Sequence, residues 1–474
     1  MYRIQTTKPR SALKSVPVDV LRSIFGVVVS ETSESRAKLH TALCLTHVCA
    51  FWRTIATNSP EIWTAVHLHT PKHSSKVFPN VDLLSLVLQN SQKMPLTMEI
   101  AVQRALFSQS AVLEATRRFL QEIHRAEILH LRYECLEEFF IRCTFMEIFQ
   151  PKMTGSPYLT HLSLDFEDST SPSAYNMTRI WAPAPLLENL SIYNDILDLG
   201  SIRSFHSTKF PFHRLTNLTI TSHLEVRGLF LILSWATSLV VGKFCLVYGE
   251  IPSSSDFFHL PDLYELDLRG QGFGRSAGYD LEASPPLSRV LAPIKAPSLQ
   301  RLTLMADRDW SQASFGRFLR ISACQITYLH LDIVDFDNGE RLECLRLLPF
   351  IQVLDISAAN IRYSRFRDCF NQEFAKGLRE RNAETGEFLI CPQMSKIILD
   401  YDAIYDTTNT YFADFVEDRW KRLACFEVSL GRAGDLGQRQ IDLCELIRLL
   451  SLKRSGLNIT IDPVPLWETL ICRR

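Results

Sequence analysis

The sequence predicts an α/β chain: a small N-terminal three-helix module, then an irregular horseshoe of stacked repeats. Parallel strands would line the concave face and mostly helices the convex face. Three observations carry this reading. A six-residue apolar pattern recurs along most of the chain, amphipathic helical stretches fall between its copies, and the segment before residue 67 has helical periodicity without the pattern.

The recurring pattern is clearest at Leu159-Thr160-His161-Leu162-Ser163-Leu164, Leu187-Glu188-Asn189-Leu190-Ser191-Ile192 and Leu215-Thr216-Asn217-Leu218-Thr219-Ile220. It returns at Leu263 to Leu268, Leu299 to Leu304, Ile326 to Leu331 and Ile351 to Ile356. Leu162, Leu190 and Leu218 are 28 residues apart; Leu302 to Leu329 is 27 and Leu329 to Leu354 is 25. LxxLxL at this period is the leucine-rich-repeat signature. The alternation turns the leucines inward and the intervening polar residues outward. One copy cannot bury its own apolar side, so the copies must stack.

Weaker copies extend the series: Leu96 to Ile100, Ile128 to Leu131, a hidden one at Ser238 to Gly242, then Met394 to Leu399, Phe426 to Val428 and Leu457 to Ile461. The 44-residue step from Leu354 to Ile398 calls for an insertion, placed near 360–390 and including the polar stretch Lys376 to Glu387. Helical spacing is read at Val112 to Ile123, Val226 to Trp235, Phe315 to Ile321, Glu340 to Leu348, Phe412 to Leu423 and Ile441 to Leu452. Loops rich in Pro, Gly and Ser are expected at Asp168 to Ala174, Ile251 to Ser255 and, as a second insertion near 271–286, Gln271 to Pro286. The domain plan is thus a flexible tail over 1–13, a helical module over 14–66 and a repeat solenoid over 67–474.

In the module, Pro17 suits a first helical turn, and Val20, Leu21, Ile24 and Phe25 form an apolar stripe. Ser30 to Lys38 reads as a loop or frayed turn. A second helical stretch runs from Leu39 through Val48 and Trp52 to Ile55 and Ala56, and Asn58-Ser59-Pro60 stops it or starts a new turn. Ala65 to His69 alternates as a first strand. So small a unit has little core of its own; Phe25, Trp52 and Trp63 either form that core or leave a surface that docks a partner.

The strings Val16-Pro17 to Ile24-Phe25, Leu45-Thr46-His47-Val48-Cys49-Ala50-Phe51-Trp52-Arg53-Thr54-Ile55-Ala56 and Ser59-Pro60-Glu61-Ile62-Trp63 together resemble an F-box. More narrowly, they resemble the F-box-like domain abundant in mushroom-forming, basidiomycete fungi. Val16 and Asp19 depart mildly from the Leu and Glu commoner there. The resemblance covers residues 14 to 66. It implies a three-helix unit that binds the small adaptor subunit of a cullin–RING ubiquitin ligase, while the rest of the chain captures a protein substrate. Carried over, Pro17, Val20, Leu21, Ile24 and Phe25 lie at or beside the adaptor contact, and Val48, Cys49, Trp52 and Ile55 complete the packing. The other reading is a non-ligase repeat scaffold.

The remaining chemistry points away from catalysis. Net charge is -1, with 46% hydrophobic and 22% charged residues, which suits a folded chain and disfavours nucleic acid as partner. The apolar run Leu229 to Val241 is too short to span a bilayer, so no membrane partner is expected. The 12 cysteines form no CxxC pair and read as reduced, mostly buried thiols. With no signal-peptide pattern, the expected location is cytoplasmic or nuclear. No P-loop, HExxH or GxSxG motif occurs; Gly270 to Gly274 reads as a loop. His67 with His69 and His124 with His130 lack further ligands at metal spacing, and Asp165, Glu167 and Asp168 read as a solvated rim. No cofactor, metal or catalytic residue is expected. The substrate face would be polar: His161, Ser163, Asn189, Asn217, Tyr264, Glu265, Arg301, Tyr328, His330 and Gln352.

Overall fold

The computed structural model describes residues 16–32, 35–70, 76–102, 109–133, 156–166, 183–193, 196–197, 202–203, 210–221, 223–251, 257–270, 285–307, 310–333, 337–357, 370–399, 411–423, 426–430 and 443–461. The tail over 1–13, the loop Asp168 to Ala174 and the segment 271–284 lie outside the described residues. The chain forms two compact units, Met1–Ile196 with Gly200–Pro211, and Leu197–Leu199 with Phe212–Arg474.

The first unit opens with α1 (Val18–Ser30), α2 (Ser35–Val48) and α3 (Ala50–Thr57), followed by a 3-10 turn at Pro60–Trp63. Pro17 precedes α1 in an extended conformation, so its missing N–H is no loss. The stretch read as one helix from Leu39 to Ala56 is two. Cys49 turns extended at φ -163, and its thiol accepts the Trp52 N–H at 3.4 Å, capping α3. The polar segment read as a loop from Ser30 to Lys38 is mostly helix, since α1 runs through Ser30 and α2 begins at Ser35.

Leu21, Phe25 and Val29 pack with Leu39, Ala42, Leu45, Ile55, Ala56, Ile62 and Trp63 to form the buried centre of these helices. The Trp63 indole donates to the Ala56 carbonyl at 2.7 Å. The helices do not stand apart, because α2 packs directly on the first strand. That strand, β1 (Ala65–His69), is followed by α4 (Val81–Asn90), β2 (Leu96–Val102), α5 (Ser110–Gln121), β3 (Ala126–Tyr133), β4 (His161–Phe166) and β5 (Asn189–Tyr193). β1 to β5 pair in sequence order, all parallel. Val66, Met98, Leu129, Leu162 and Leu190 share one inward row, and Leu68, Ile100, Leu131, Leu164 and Ile192 the next.

The second unit repeats this plan. The strands of its repeat ladder are β6 (Asn217–Ile220), β7 (Val241–Tyr248), β8 (Glu265–Gly270), β9 (Arg301–Asp307), β10 (Tyr328–Ile333), β11 (Val353–Asp355), β12 (Lys396–Leu399), β13 (Glu427–Leu430) and β14 (Asn458–Ile461). Neighbours pair parallel throughout. The parallel sheet thus keeps the register that the LxxLxL pattern predicts. The ladder continues into each preceding turn, where one carbonyl accepts two N–H groups from the next repeat. The Val240 carbonyl takes Tyr264 and Glu265, that of Tyr264 takes Gln300 and Arg301, and that of Gln300 takes Thr327 and Tyr328.

Two repeats differ in register from the sequence reading. The hidden copy is Leu239 to Phe244 on β7, with Gly242 paired to Leu218 and Leu266 where a leucine would stand. A Cβ at Gly242 would meet the Phe244 ring at 2.9 Å and Leu239 at 3.1 Å, so the phenylalanine already fills the space. Beyond β11, Leu354 pairs with Ile397 rather than Ile398. In an Ile-Ile pair only the alternation of faces tells which side chain is inside, and a one-residue slip reverses it.

The helical layer of this unit comprises α6 (Val226–Trp235), α7 (Leu287–Leu291), α8 (Gln312–Ser322), α9 (Asn338–Arg346), α10 (Gln372–Arg379), α11 (Tyr411–Arg422) and α12 (Leu443–Arg454). Successive members from α7 to α12 pack on one another. The stretch expected as a polar insertion contains α10, a regular member of this layer, because Phe374, Ala375, Gly377 and Leu378 turn inward while its charges face out. Among the described residues of this stretch, the turn after it, where Arg381 bridges antiparallel to Phe388, departs from the repeat plan.

Among the described cysteines all seven are free; Cys344 and Cys391 are buried, Cys245 and Cys324 half-buried, and Cys44, Cys49 and Cys444 exposed. The expectation of mostly buried thiols fails for most of these seven; Cys44 and Cys444 stand on outward helix positions, where a small side chain can face solvent. Among the described residues no helix is long and apolar enough to cross a membrane.

Candidate functional site

Strand alternation places the polar side chains between inward leucines on the open face of each sheet, and parallel in-register pairing stacks them into rows. In the second unit one row reads Asn217, Val241, Glu265, Arg301, Tyr328, Val353, Lys396, Glu427 and Asn458. Its charged members, Glu265, Arg301, Lys396 and Glu427, pair with opposite charges in or beside the row. Glu265 takes Lys243 at 3.0 Å and Arg301 at 3.3 Å. The Arg301 guanidinium stacks 4.1 Å from the Tyr328 ring centroid. The Tyr328 hydroxyl donates to Asp355 at 3.0 Å, and burial together with that carboxylate raises its pKa. Asp355 also accepts from Ser357 Oγ at 2.6 Å and lies 3.7 Å from His330, whose other ring nitrogen meets the Ser357 carbonyl at 2.9 Å. Further along, Glu427 takes Lys396 at 3.3 Å and Asn458 at 2.9 Å. Arg269 is held on Asp267, and that hydrogen bond raises the arginine's pKa.

The first unit carries a histidine-rich open face. His67 Nδ1 lies 3.0 Å from Glu99, which holds that carboxyl below its usual range. His130 occupies the next register position, and burial lowers its pKa. His69 stacks edge-on against His67 and Phe78. Burial, then the neighbouring charges of His67 and Arg36, lowers it to about 4. Arg132 pairs with Asp165 at 3.2 Å. Glu167 and Asp168 lie outside the described residues. Among the described residues no group of three His, Cys, Asp or Glu side chains is disposed to hold a metal ion.

The residues expected on the substrate face divide. His161, Ser163 and Asn189 lie on strands of the first unit; Asn217, Glu265, Arg301 and Tyr328 lie on strands of the second; all are at least partly accessible. Tyr264 and Gln352 stand in the turns before β8 and β11 and are exposed. His330 is on the face but only 9% exposed, because Asp355 and Ser357 close over it. Asp267 and Asp355 are more covered still.

The residues assigned to adaptor docking also divide. Leu21, Phe25 and Ile55 are core, and Trp52 is half-buried with its ring 4.9 Å from that of Phe25. Pro17, Val20, Ile24 and Val48 face solvent. Sequence reasoning omitted Val27 and Val28, which continue the exposed row, and Phe51, at 38% exposure. Val20, Ile24, Val27 and Val28 are spaced i, i+4, i+7 and i+8, so they line one side of α1, next to the buried row Leu21, Phe25 and Val29. An apolar count too high for one buried face was the signal available.

No family model matches the chain, and no curated protein matches it. Among solved structures the chain is similar to the leucine-rich-repeat-containing protein LegL7 from Legionella pneumophila, at 17% identity and a TM-score of 0.35, over 61% of this chain and 76% of that one.

Proposed function

We propose that this chain is a non-catalytic recognition subunit. Its N-terminal helices dock the adaptor of a cullin–RING ubiquitin ligase, and the open faces of its repeats hold a protein substrate for ubiquitin transfer. The observation that carries the docking half is the second apolar face of α1. Val20, Ile24, Val27 and Val28 are between 42% and 53% exposed, although the helix already buries Leu21, Phe25 and Val29. Contiguous exposed apolar groups on a small module mark a protein contact. The F-box resemblance of residues 14 to 66 names the class of partner. The open faces support the substrate half, since their charges are interleaved rather than of one sign, which suits a protein surface better than a phosphate backbone.

A scaffold without ligase function is the second reading. It is favoured by the packing of α2 on β1, which is what an end cap of a repeat stack does. Capture of the purified adaptor by the full chain, lost in Val20→Glu/Ile24→Glu, supports the ligase reading. Absence of capture, under conditions where a known F-box protein binds, leaves the scaffold.

A further inference from the structure

On the open face of β7, β8 and β9 the charges interleave in plan but separate in depth. Lys243, Arg269 and Arg301, one on each strand, have side chains 41%, 45% and 39% exposed. Their carboxylate partners lie beneath. Glu265, which serves both Lys243 and Arg301, is 26% exposed, and Asp267, which holds Arg269, is 9% exposed. Three cations thus stand over two carboxylates. Asp332 and Asp355, on β10 and β11, are covered as well.

Side-chain length does not explain this layering. Arginine pairs between helices of the same unit are exposed alike, 48% with 46% for Arg346 and Glu380, and 36% with 38% for Arg379 and Asp414. Farther along the open face Lys396 and Glu427 are also exposed alike. In the first unit the order reverses at His67 and Glu99, and Arg132 over Asp165 repeats the layering as a single pair. Among the described residues, β7 to β9 are where three such cations adjoin on neighbouring strands.

The two guanidinium groups are also held in place before any partner arrives. Arg301 lies between Glu265 and the Tyr328 ring, 4.1 Å from the ring centroid. Arg269 donates Nε and Nη2 to Asp267 at 2.8 to 3.3 Å. A surface arginine ordinarily loses rotamer freedom when it binds; these two have lost much of it already, so an incoming carboxylate meets donors that cost little to order. Guanidinium–carboxylate hydrogen bonds are charge-assisted and roughly twice as strong as neutral ones. A partner pressed on this face touches the cations first, while the carboxylates beneath orient them. We propose that β7 to β9 take an acidic segment of a protein substrate, with its carboxylates set on Lys243, Arg269 and Arg301. The assignment rests on the reading that the open faces hold a substrate, and not on adaptor docking. Two carboxylates within a patch of only three cations weigh against a phosphate backbone, whose binding needs a longer basic track.

The test pans random dodecapeptides displayed on phage against the immobilised full chain and measures the enriched peptides by fluorescence anisotropy. The expected result is enrichment of acidic peptides whose affinity falls at least tenfold in Lys243→Glu/Arg301→Glu and is unchanged in Arg346→Glu. The same peptides with Lys in place of Asp and Glu should bind the charge-reversed chain better than the wild type, which a misfolded variant could not do. Lys243→Gln/Arg301→Gln, which brings no like charge to Glu265, should weaken the acidic peptides too and keeps the test valid should the reversal fold poorly. Neutral or basic enriched peptides overturn the proposal, as do acidic ones indifferent to both double variants. If such peptides lose affinity in Lys396→Ala or His161→Ala, on other stretches of open face, the substrate reading stands and only this assignment falls. No enrichment over the bare support removes both. Single-stranded oligothymidylate that binds more tightly than the peptides, and is lost in the same variants, gives the patch to nucleic acid and also overturns the proposal.

Discussion

The guanidinium of Arg419 lies 3.8 Å from the centroid of the Phe388 ring and donates to the carbonyls of Leu378, Ile390 and Cys391 at 2.7 to 2.8 Å. The side chain is fully buried and, among the described residues, meets no carboxylate. Its charge is instead satisfied by a ring face and three carbonyl dipoles, and burial lowers its pKa to about 10. The arrangement ties α11 to the end of α10 and to the turn that follows, where the repeat spacing breaks.

Arg419→Met should therefore destabilise the second unit by about 3–5 kcal/mol, the range found when one partner of a buried charged network is removed. Three carbonyls lose their donor, while the aliphatic volume is kept. Urea unfolding followed by circular dichroism measures the loss. Amide hydrogen exchange should show it first in residues 378–391. A loss below about 1 kcal/mol would mean that water or a local shift replaces the guanidinium.

Gly242→Leu restores the residue that the repeat pattern predicts, yet it should destabilise by about 1–3 kcal/mol, as overpacking does. The Phe244 ring already stands 2.9 Å from where the new Cβ would lie. The double variant Gly242→Leu/Phe244→Leu should recover part of the loss, because it removes the ring that occupies the site. Melting temperatures of the wild type and the two variants decide the matter, and a stabilised single variant would contradict the packing described for β7.

Glu445 of α12 is fully buried, and its two carboxylate oxygens accept the Phe412 and Ala413 N–H groups at the start of α11, at 3.0 and 2.8 Å. It acts as a helix cap supplied by the next repeat. Glu445→Gln keeps one acceptor and turns an amide toward the other N–H, so a loss of about 1–2 kcal/mol is expected. Hydrogen exchange at the first turn of α11 should accelerate; unchanged protection there would show that the cap is dispensable.

His69 gives the first unit a dependence on acid. Its folded pKa of about 4 lies below the ordinary 6.5. Between those values the unfolded chain binds the proton and the folded chain does not. Stability is therefore complete above pH 6.5 and falls as the pH drops toward 4, by on the order of 1–3 kcal/mol. Thermal melts at pH 7.5 and 5.0, with His69→Phe as the variant lacking the group, test this. The wild type should lose more than the variant on acidification.

On α1, Leu21→Glu and the pair Val20→Glu/Ile24→Glu should separate folding from docking. Leu21 is 2% exposed, so a carboxylate there unfolds the helical module. Val20 and Ile24 are nearly half exposed, so their charged variants should melt as the wild type does. Equal melting of the two variants would remove the distinction between the buried and the exposed row.

The sequence by itself determined the repeat. Leucines at a period of 25 to 28 residues can be buried together only if each copy pairs in parallel with the next, and within each unit the described copies do so. Helix positions were legible for the same reason: Val226 to Trp235 and Phe412 to Leu423 carry apolar residues on one side, and α6 and α11 lie there. Inside-versus-outside was also fixed wherever apolar and polar residues alternate strictly, as at Leu162 and Leu190. It was not fixed at Ile397-Ile398, where both residues are apolar, nor at Gly242, where an aromatic neighbour replaces the leucine.

Tertiary structure alone decided which outward residues remain available. His330 reads as surface, but Asp355, supplied by the next repeat, closes over it; Leu21 and Ile24 share one apolar stripe, yet one is core and the other faces solvent. The physical reason is common to these cases. Periodicity states which side of an element a residue occupies, whereas exposure and pairing depend on what the neighbouring element puts against it.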